Sequence, residues 1–453
     1  MALEKQTPHR QWPAYNTIWR WHFYAGLFCI PFVLVLAITG GVYLFKPQVT
    51  AALDAPYTQL TFTGAPQTAL AQVNAALAAM PTAEFSAYQL PETPHSAVQI
   101  LVGKKENLTR VYVHPQTLQI LNIAREDDRL MQVMHEFHGN LLIGNWGSYL
   151  VELAASWAIV MLLTGVYLWW PNNGKSMAGI VYPRLRSGSQ RVFWRDCHAV
   201  TGFWIAFFTL FLLLSGLPWA KSWGGLLKEV RSLSAGKEVQ QDWAVGRPQR
   251  KTAADDEHAH HNHHHHEDIM MFDYSAIDRL VGTVQPLNLA YPVLIYPPSK
   301  KMPDWTAKSK AQNRPLRVDM VLDASTGNIK SRKNFADRPL LDRIIGYGIA
   351  IHEGQLFGWF NQLLGLLTAL GLVLISVSGV ILWWRRRTPS TLGAPASRKQ
   401  LGEPTRYSQV LISLILLLGI LLPFLGISLI AVLLMERYVL RHIRSARSFL
   451  GLS

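Results

Sequence analysis

Two long stretches of this chain are one stretch written twice. Residues 134–170 read MHEFHGNLLIGNWGSYLVELAASWAIVMLLTGVYLWW, and 214 positions later residues 348–384 read GIAIHEGQLFGWFNQLLGLLTALGLVLISVSGVILWW. Aligned without a gap, His138 falls on His352, Gly144 on Gly358, Gly165 on Gly379, and Trp169-Trp170 on Trp383-Trp384. A second correspondence, offset by 176 positions, sets His22 on His198, Gly26 on Gly202, Phe32 on Phe208 and Thr39-Gly40 on Ser215-Gly216. Self-similarity at a fixed spacing marks one structural unit built more than once. The unit is an apolar run, a polar segment and a second apolar run. The polar segments echo each other too, HPQTLQI at 114–120 against DASTGNI at 323–329.

The apolar runs are long enough to cross a bilayer at ~1.5 Å per residue. Only 16% of the residues are charged and 49% are hydrophobic, against ~25% charged in soluble domains. Tryptophans cluster at run ends, where amphipathic rings favour the membrane–water boundary. The reading is an internally duplicated α-helical bundle with about five transmembrane helices and two extracytoplasmic α+β domains. Its divisions are an N-terminal segment 1–18, a first span 19–45, a first soluble domain 47–134 and a histidine segment with the second span 135–170. A loop 171–195, a third span 196–217 and a second soluble domain 220–347 follow. The chain then runs through a histidine segment with the fourth span 348–384, a loop 385–406, a fifth span 408–435 and a basic tail 436–453. In the first soluble domain Thr68–Met80 reads as a helix, and FSAYQL, SAVQILV, TRVYVHP and QILNIA read as strands. In the second, Ser275–Leu289 reads as a helix, with YPVLIYPP and RVDMVLDASTG as strands. Pro423 lies inside the fifth run and predicts a kink.

The net charge of +14 does not point to nucleic acid. Basic residues sit in short segments beside apolar runs, without the interleaved stacking aromatics of an RNA binder. Those at 171–195 and 385–406 place both loops in the cytoplasm by the positive-inside rule. A bacterial inner-membrane protein follows, multi-pass, with a cytoplasmic N-terminus and periplasmic soluble domains. The fifth span then leaves Arg437, Arg441, Arg444 and Arg447 outside, against the rule. The first run is too long for a cleavable signal peptide, so none is expected. The two cysteines, Cys29 and Cys197, give no disulfide framework or metal motif.

With that topology His22 and His198 lie at the cytoplasmic edge, and His138 and His352 at the outer edge. Each pair is related by the repeat. Two neutral imidazoles facing each other across a bundle can supply both axial ligands of a haem, so two haem b groups, one near each face, are expected. Gly26, Gly202, Gly144 and Gly358 would let a flat macrocycle approach the backbone. The bland alternative for each histidine is an interfacial anchor. His135, one turn before His138, is an alternative ligand, although its repeat mate is Ile349.

The order of these parts is similar to the PepSY-associated transmembrane family. The resemblance rests on His22 with Thr39-Gly40, His138 with LLTGVYLWW, and the IHEGQLFG and SVSGVILWWRRR segments. It implies that the soluble parts are PepSY domains. Its siderophore-reductase branch, the FoxB type, implies a haem-dependent ferric reductase of the inner membrane acting on siderophore iron. The competing readings are a non-enzymatic PepSY protein that binds or inhibits extracytoplasmic proteases or other partners, and a siderophore or metal permease. A permease favours broken helices with polar midplane residues, and the midplanes here are nearly all apolar.

Several features stand beside this reading. His258, His260, His261, His263, His264, His265 and His266 form a tract suited to metal ions, or a solvated loop. Glu152, in the outer third of the second span, could meet a haem propionate, a cation or another helix. Glu353, Gln355 and Trp359 flank His352 as a candidate substrate floor. Arg385 to Arg387 set topology or steer an acidic donor. No catalytic residue is assigned. No phosphate loop or dinucleotide fingerprint appears, so the electron donor, a quinol or a cytoplasmic reductase, is a separate partner.

Overall fold

The computed structural model describes residues 15–104, 107–170, 177–186, 188–235, 273–299, 302–395 and 406–452. The histidine tract 258–266 lies outside them. The chain divides into two compact units. The first comprises 1–41, 137–247 and 363–453, and the second 42–136 and 248–362.

The first unit is helical. It contains most of α1 (Tyr15–Tyr43), then α5 (Gly144–Trp169), α6 (Gln190–Gly216), α7 (Lys221–Ala235), most of α10 (Gly358–Arg386), α11 (Arg406–Leu421), α12 (Pro423–Met435) and α13 (Arg444–Leu450). Among the described residues, five helical stretches are long and apolar enough to span a membrane: Tyr15–Tyr43, Gly144–Trp169, Gln190–Trp219, Gly358–Arg386 and Pro423–Leu440. Helices α1 and α5 are antiparallel, because early His22 meets late Met161 while late Thr39 meets His138 ahead of α5. Helices α6 and α10 repeat this arrangement, with early His198 meeting late Ile375.

The expected single span 408–435 is instead two helices folded back on each other. A Cβ on Gly426 would lie 2.3 Å from the Gly419 carbonyl oxygen. Seven residues along one straight helix would separate those positions by ~10 Å. The reversal falls at Leu422-Pro423, where proline lacks the amide that would continue the helix. Phe424 at this turn packs 5.3 Å from Tyr149, near the start of α5. Helix α12 then descends beside α5, where Trp157 Nε1 donates to Ser428 Oγ at 3.0 Å. The tail ends where α1 begins: Tyr24 Oη donates to Leu450 O at 2.6 Å, and Arg20 Nη1 to Gly451 O at 2.8 Å. The basic tail therefore returns to the end of the bundle that carries His22, which removes the charge violation expected from a single fifth crossing.

The second unit is built on one antiparallel sheet in the order β4-β3-β2-β1-β5-β6-β7-β8. The strands are β1 (Phe85–Gln89), β2 (Val98–Val102), β3 (Thr109–Val113), β4 (Ile120–Arg125), β5 (Val293–Tyr296), β6 (Trp305–Ser309), β7 (Val318–Leu322) and β8 (Ile329–Asn334). Each half is a four-stranded meander with one helix, α3 (Ala69–Ala79) or α8 (Ile277–Val284). The two expected soluble domains share this one sheet: pairing of Tyr88 with Ile295 and Gln89 with Leu294 joins the halves edge to edge. Period-two alternation sends Val98, Ile100, Val102, Val111 and Val113 into the core shared with α3 and α8. Strands β6 and β8 escaped the sequence reading because WTAKS and IKSRKN lack an apolar run. The remaining helices of this unit are α2 (Lys46–Asp54), α4 (Leu130–Asn140), which crosses into the first unit at Phe137, and α9 (Leu340–His352). The start of the second soluble segment, expected from residue 220, belongs to the helical unit as α7.

The opposite sheet face buries charge. Arg110 Nε and Nη2 grip Glu126 at 2.6 and 3.1 Å, and Arg110 Nη1 donates to Gln89 at 2.6 Å and also to Gln99. Burial pushes the Glu126 carboxyl up, but the Arg110 hydrogen bond and charge, with Arg129 behind them, outweigh it and hold the group below its usual range.

Both the hairpin and the buried ion pair can be checked. A reporter fused to the C-terminus should read the same side of the membrane as one fused to the N-terminus; opposite sides would refute the returning hairpin. Arg110→Met should cost about 2–4 kcal/mol at neutral pH by leaving Glu126 with only the longer Arg129 contact at 3.6 Å. Because the folded carboxyl titrates lower than the unfolded one, the advantage of wild type over Glu126→Gln is full above about pH 4.3 and fades as pH falls through the folded value. Denaturant unfolding followed by circular dichroism at several pH values measures both substitutions.

Candidate functional site

Among the described residues, two of the four predicted ligand histidines are brought together in one unit. The rings of His22 and His198 are 6.3 Å apart between centroids, with planes at 84°. Each is fixed by the helix antiparallel to its own. His22 Nδ1 lies 3.0 Å from Met161 O and 3.1 Å from Thr164 Oγ1. His198 Nδ1 lies 2.9 Å from Ile375 O and 3.3 Å from Ser378 Oγ. A carbonyl only accepts, so Nδ1 carries the proton in each ring. In a neutral imidazole this leaves the Nε2 lone pair for a metal.

The local sequence explains the fit. A helical carbonyl at position i accepts from the amide at i+4, and its second lone pair is covered by the side chain there. Here position i+4 is glycine, Gly165 for Met161 and Gly379 for Ile375. The ring carbon Cε1 occupies that space: it lies 3.1 Å from a Cβ built on Gly165 for His22, and 3.4 Å from one on Gly379 for His198. The hydroxyl at i+3 bonds back along its own helix, Thr164 Oγ1 to Val160 O and Met161 O at 2.9 Å each. Its lone pairs stay turned to the histidine.

His138 occupies the same arrangement at the other end of α1. Its Nδ1 is 3.2 Å from Thr39 Oγ1 and it bonds the Leu36 carbonyl, while a Cβ on Gly40 would come within 2.9 Å of its Cε1. The repeat mates Leu212, Ser215 and Gly216 carry the same residue types. His352 ends α9 in the other unit. His135 is exposed, with its ring 5.6 Å from that of Tyr43. The sequence signal for these contacts is the hydroxyl–glycine pair, which stands at Thr39-Gly40, Thr164-Gly165, Ser215-Gly216 and Ser378-Gly379, and not the glycines Gly26, Gly202, Gly144 and Gly358.

Those other glycines serve different ends. Gly144 and Gly358 have φ of +64° and +60° and start α5 and α10 from left-handed turns. Gly26 faces Met161 Sδ at 3.7 Å. A side chain at Gly202, one turn after His198, would meet nothing within 4 Å, as at Gly144 and Gly358; of the three, Gly202 is the one next to a paired histidine.

The remaining candidates separate. Glu152 caps a helix: its Oε2 and Oε1 accept the Ser222 and Trp223 amides at 2.9 and 3.0 Å, at the start of α7. Gln355 is tied by Nε2 to the carbonyls of Leu44 and Glu353 at 3.1 and 2.9 Å. Glu353 is half-buried beside it, and Trp359 is 74% exposed on the first turn of α10. No group of three or more His, Cys, Asp or Glu able to hold a metal ion occurs among the described residues.

The family whose description is PepSY-associated TM region matches residues 19–386. The chain belongs to this family. With its apolar helices, that makes it a membrane protein. The match ends at the last residue of α10, so the α11–α12 hairpin and its tail lie beyond it. A comparison with curated proteins finds no match.

The glycines give a direct test. Gly165→Val and Gly379→Val should each destabilise the helical unit by about 1–3 kcal/mol through overpacking against the histidine rings. In protein free of any bound cofactor, Gly202→Ala should raise stability by up to ~1 kcal/mol through helix propensity alone. Thermal unfolding in detergent measures the three; equal effects would refute the ring contacts.

Proposed function

We propose that this protein is a haem-containing oxidoreductase of the bacterial inner membrane that reduces ferric siderophore iron on the periplasmic side and releases ferrous iron. The observation that carries the reading is the His22–His198 pair. Two metal–imidazole bonds of about 2 Å each, plus the distance from each nitrogen to its ring centre, come to ~6 Å, and the measured separation is 6.3 Å. Both Nδ1 atoms are committed to main-chain carbonyls, which orients the rings and makes Nε2 more basic. The free space beside Gly202 fits a planar group in the same place. A haem b held there would supply reversible one-electron transfer.

The chain's own part is positioning. With His22 and His198 both holding one haem iron, no position would be left for an added ligand, which would suit electron transfer over ligand exchange. His138, bonded in the same way at the other end of α1, supports a second haem, for which the sequence repeat gives His352 as mate. The basic loops support a cytoplasmic side at the His22 end. A separate quinol or cytoplasmic reductase gives up one electron per iron. Ferric iron takes up that electron, and the ferrous ion is held less tightly by the hard oxygen donors of a siderophore.

The purified protein should be coloured, with a six-coordinate haem spectrum. His198→Ala and His22→Ala should each remove one haem equivalent by pyridine haemochrome, while His135→Ala removes none. Loss of ferrous release from an added ferric siderophore should accompany either loss. A colourless wild type would overturn the reading.

A further inference from the structure

At the His22 end of the bundle, cations outnumber acids in a patterned way. Trp19 precedes His22 by three residues, so it lies on the same helix face, one turn nearer the end. The guanidinium of Arg386 covers it, 5.1 Å from the Trp19 ring and 4.9 Å from the Phe23 ring. Its Nε donates to Gly393 O at 2.8 Å. No carboxylate pairs with Arg386 among the described residues. The repeat mate of Trp19 is Arg195, three residues before His198 and so on that histidine's face. Arg195 shares the fully buried Asp196 with Arg184: Arg195 Nη2 is 2.5 Å from Oδ1, and Arg184 Nε is 2.8 Å from Oδ2. Two guanidinium groups thus share one carboxylate, leaving one positive charge in excess. Each histidine therefore has one net positive charge a turn beyond it, on Arg386 beside His22 and on the Arg195–Asp196–Arg184 cluster beside His198.

The other arginines at this end are used differently. Arg20 is two residues from His22, on the opposite face, and its guanidinium takes the carbonyls of Pro395 and Gly451. Arg385 is exposed and donates to Gln190.

The geometry points to Arg386 and Arg195 as an anion-binding pair that takes the two carboxylates of a dicarboxylate macrocycle held between His22 and His198, an inference that rests on the haem reading above. Guanidinium groups form strong, charge-assisted bonds with carboxylates, and at this edge of the apolar layer each removes the cost of bringing one carboxylate out of water. The neutral rings of Trp19 and Phe23 hold the Arg386 charge in place without competing for the anion. The macrocycle is thereby oriented with its charged edge toward the cytoplasmic end.

The full-length protein, stripped of haem in detergent, is titrated with haem and separately with haem dimethyl ester, following the visible spectrum. Arg386→Gln and Arg195→Gln should each weaken haem binding at the His22–His198 site by roughly tenfold or more, the loss of one charged hydrogen bond. Ester binding should be unchanged by either substitution, and Arg386→Lys should recover part of the loss. Arg385→Gln serves as control and should match wild type. Equal weakening toward both ligands would assign the arginines a purely structural role and overturn the proposal, as would unchanged haem binding in both variants. If wild type binds neither ligand, the haem reading itself fails, an outcome distinct from either of these.

Discussion

The helical unit depends on one hydrogen bond made three times: an imidazole Nδ1–H on a helical carbonyl whose cover has been removed. Lipid offers no water to a polar ring, so each histidine must find its partner inside the protein. An ordinary helix presents little to bond with, because side chains screen its carbonyls. Glycine four residues on opens a carbonyl, and a threonine or serine beside it adds a second acceptor at Met161–Gly165 and Ile375–Gly379. The bond sets the depth at which α1 meets α5 and α6 meets α10, since a slip of one residue would turn the carbonyl away. It also decides which ring nitrogen is left for chemistry.

The soluble unit obeys a different constraint. A four-stranded meander with one helix has two edges and one uncovered face. Pairing β1 with β5 removes an edge from each half and gives both helices a common core. The outer edges differ: β8 is exposed along its whole length and carries Lys330, Arg332 and Lys333, the charged composition that blunts edge-to-edge association.

Much of this was legible in the sequence, and the failures share causes. The duplication revealed the span order, the first meander and the equivalence of His22 with His198, because apolar periodicity and register survive in the text. Strand β8 was illegible because an exposed edge strand needs no apolar face. The joining of two soluble segments into one sheet was illegible because pairing of strands as distant in the chain as those of Tyr88 and Ile295 leaves no local mark. The hairpin at Pro423 read as a kink, since proline alone does not say how far a chain turns; Gly419 and Gly426, which let the arms touch, supplied the missing information. Glu152 read as a contact to a haem propionate, a cation or another helix, and the last of these is what the fold makes of it, on the bare amides at the start of α7.

The hairpin lies against α5. On α5, Tyr149 meets Phe424, Glu152 meets the start of α7, and Trp157 meets Ser428. At the repeat mates on α10 stand Leu363, Leu366 and Gly371; Gly371 is buried against Ile205 of α6, while Leu363, Leu367, Leu370 and Leu374 are exposed along that helix. The two copies agree where they hold a histidine and differ where their neighbours differ. Their divergence is thus a record of surroundings: α5 carries the aromatic and acidic side chains that meet the hairpin and α7, and α10 carries leucine and glycine at the same places.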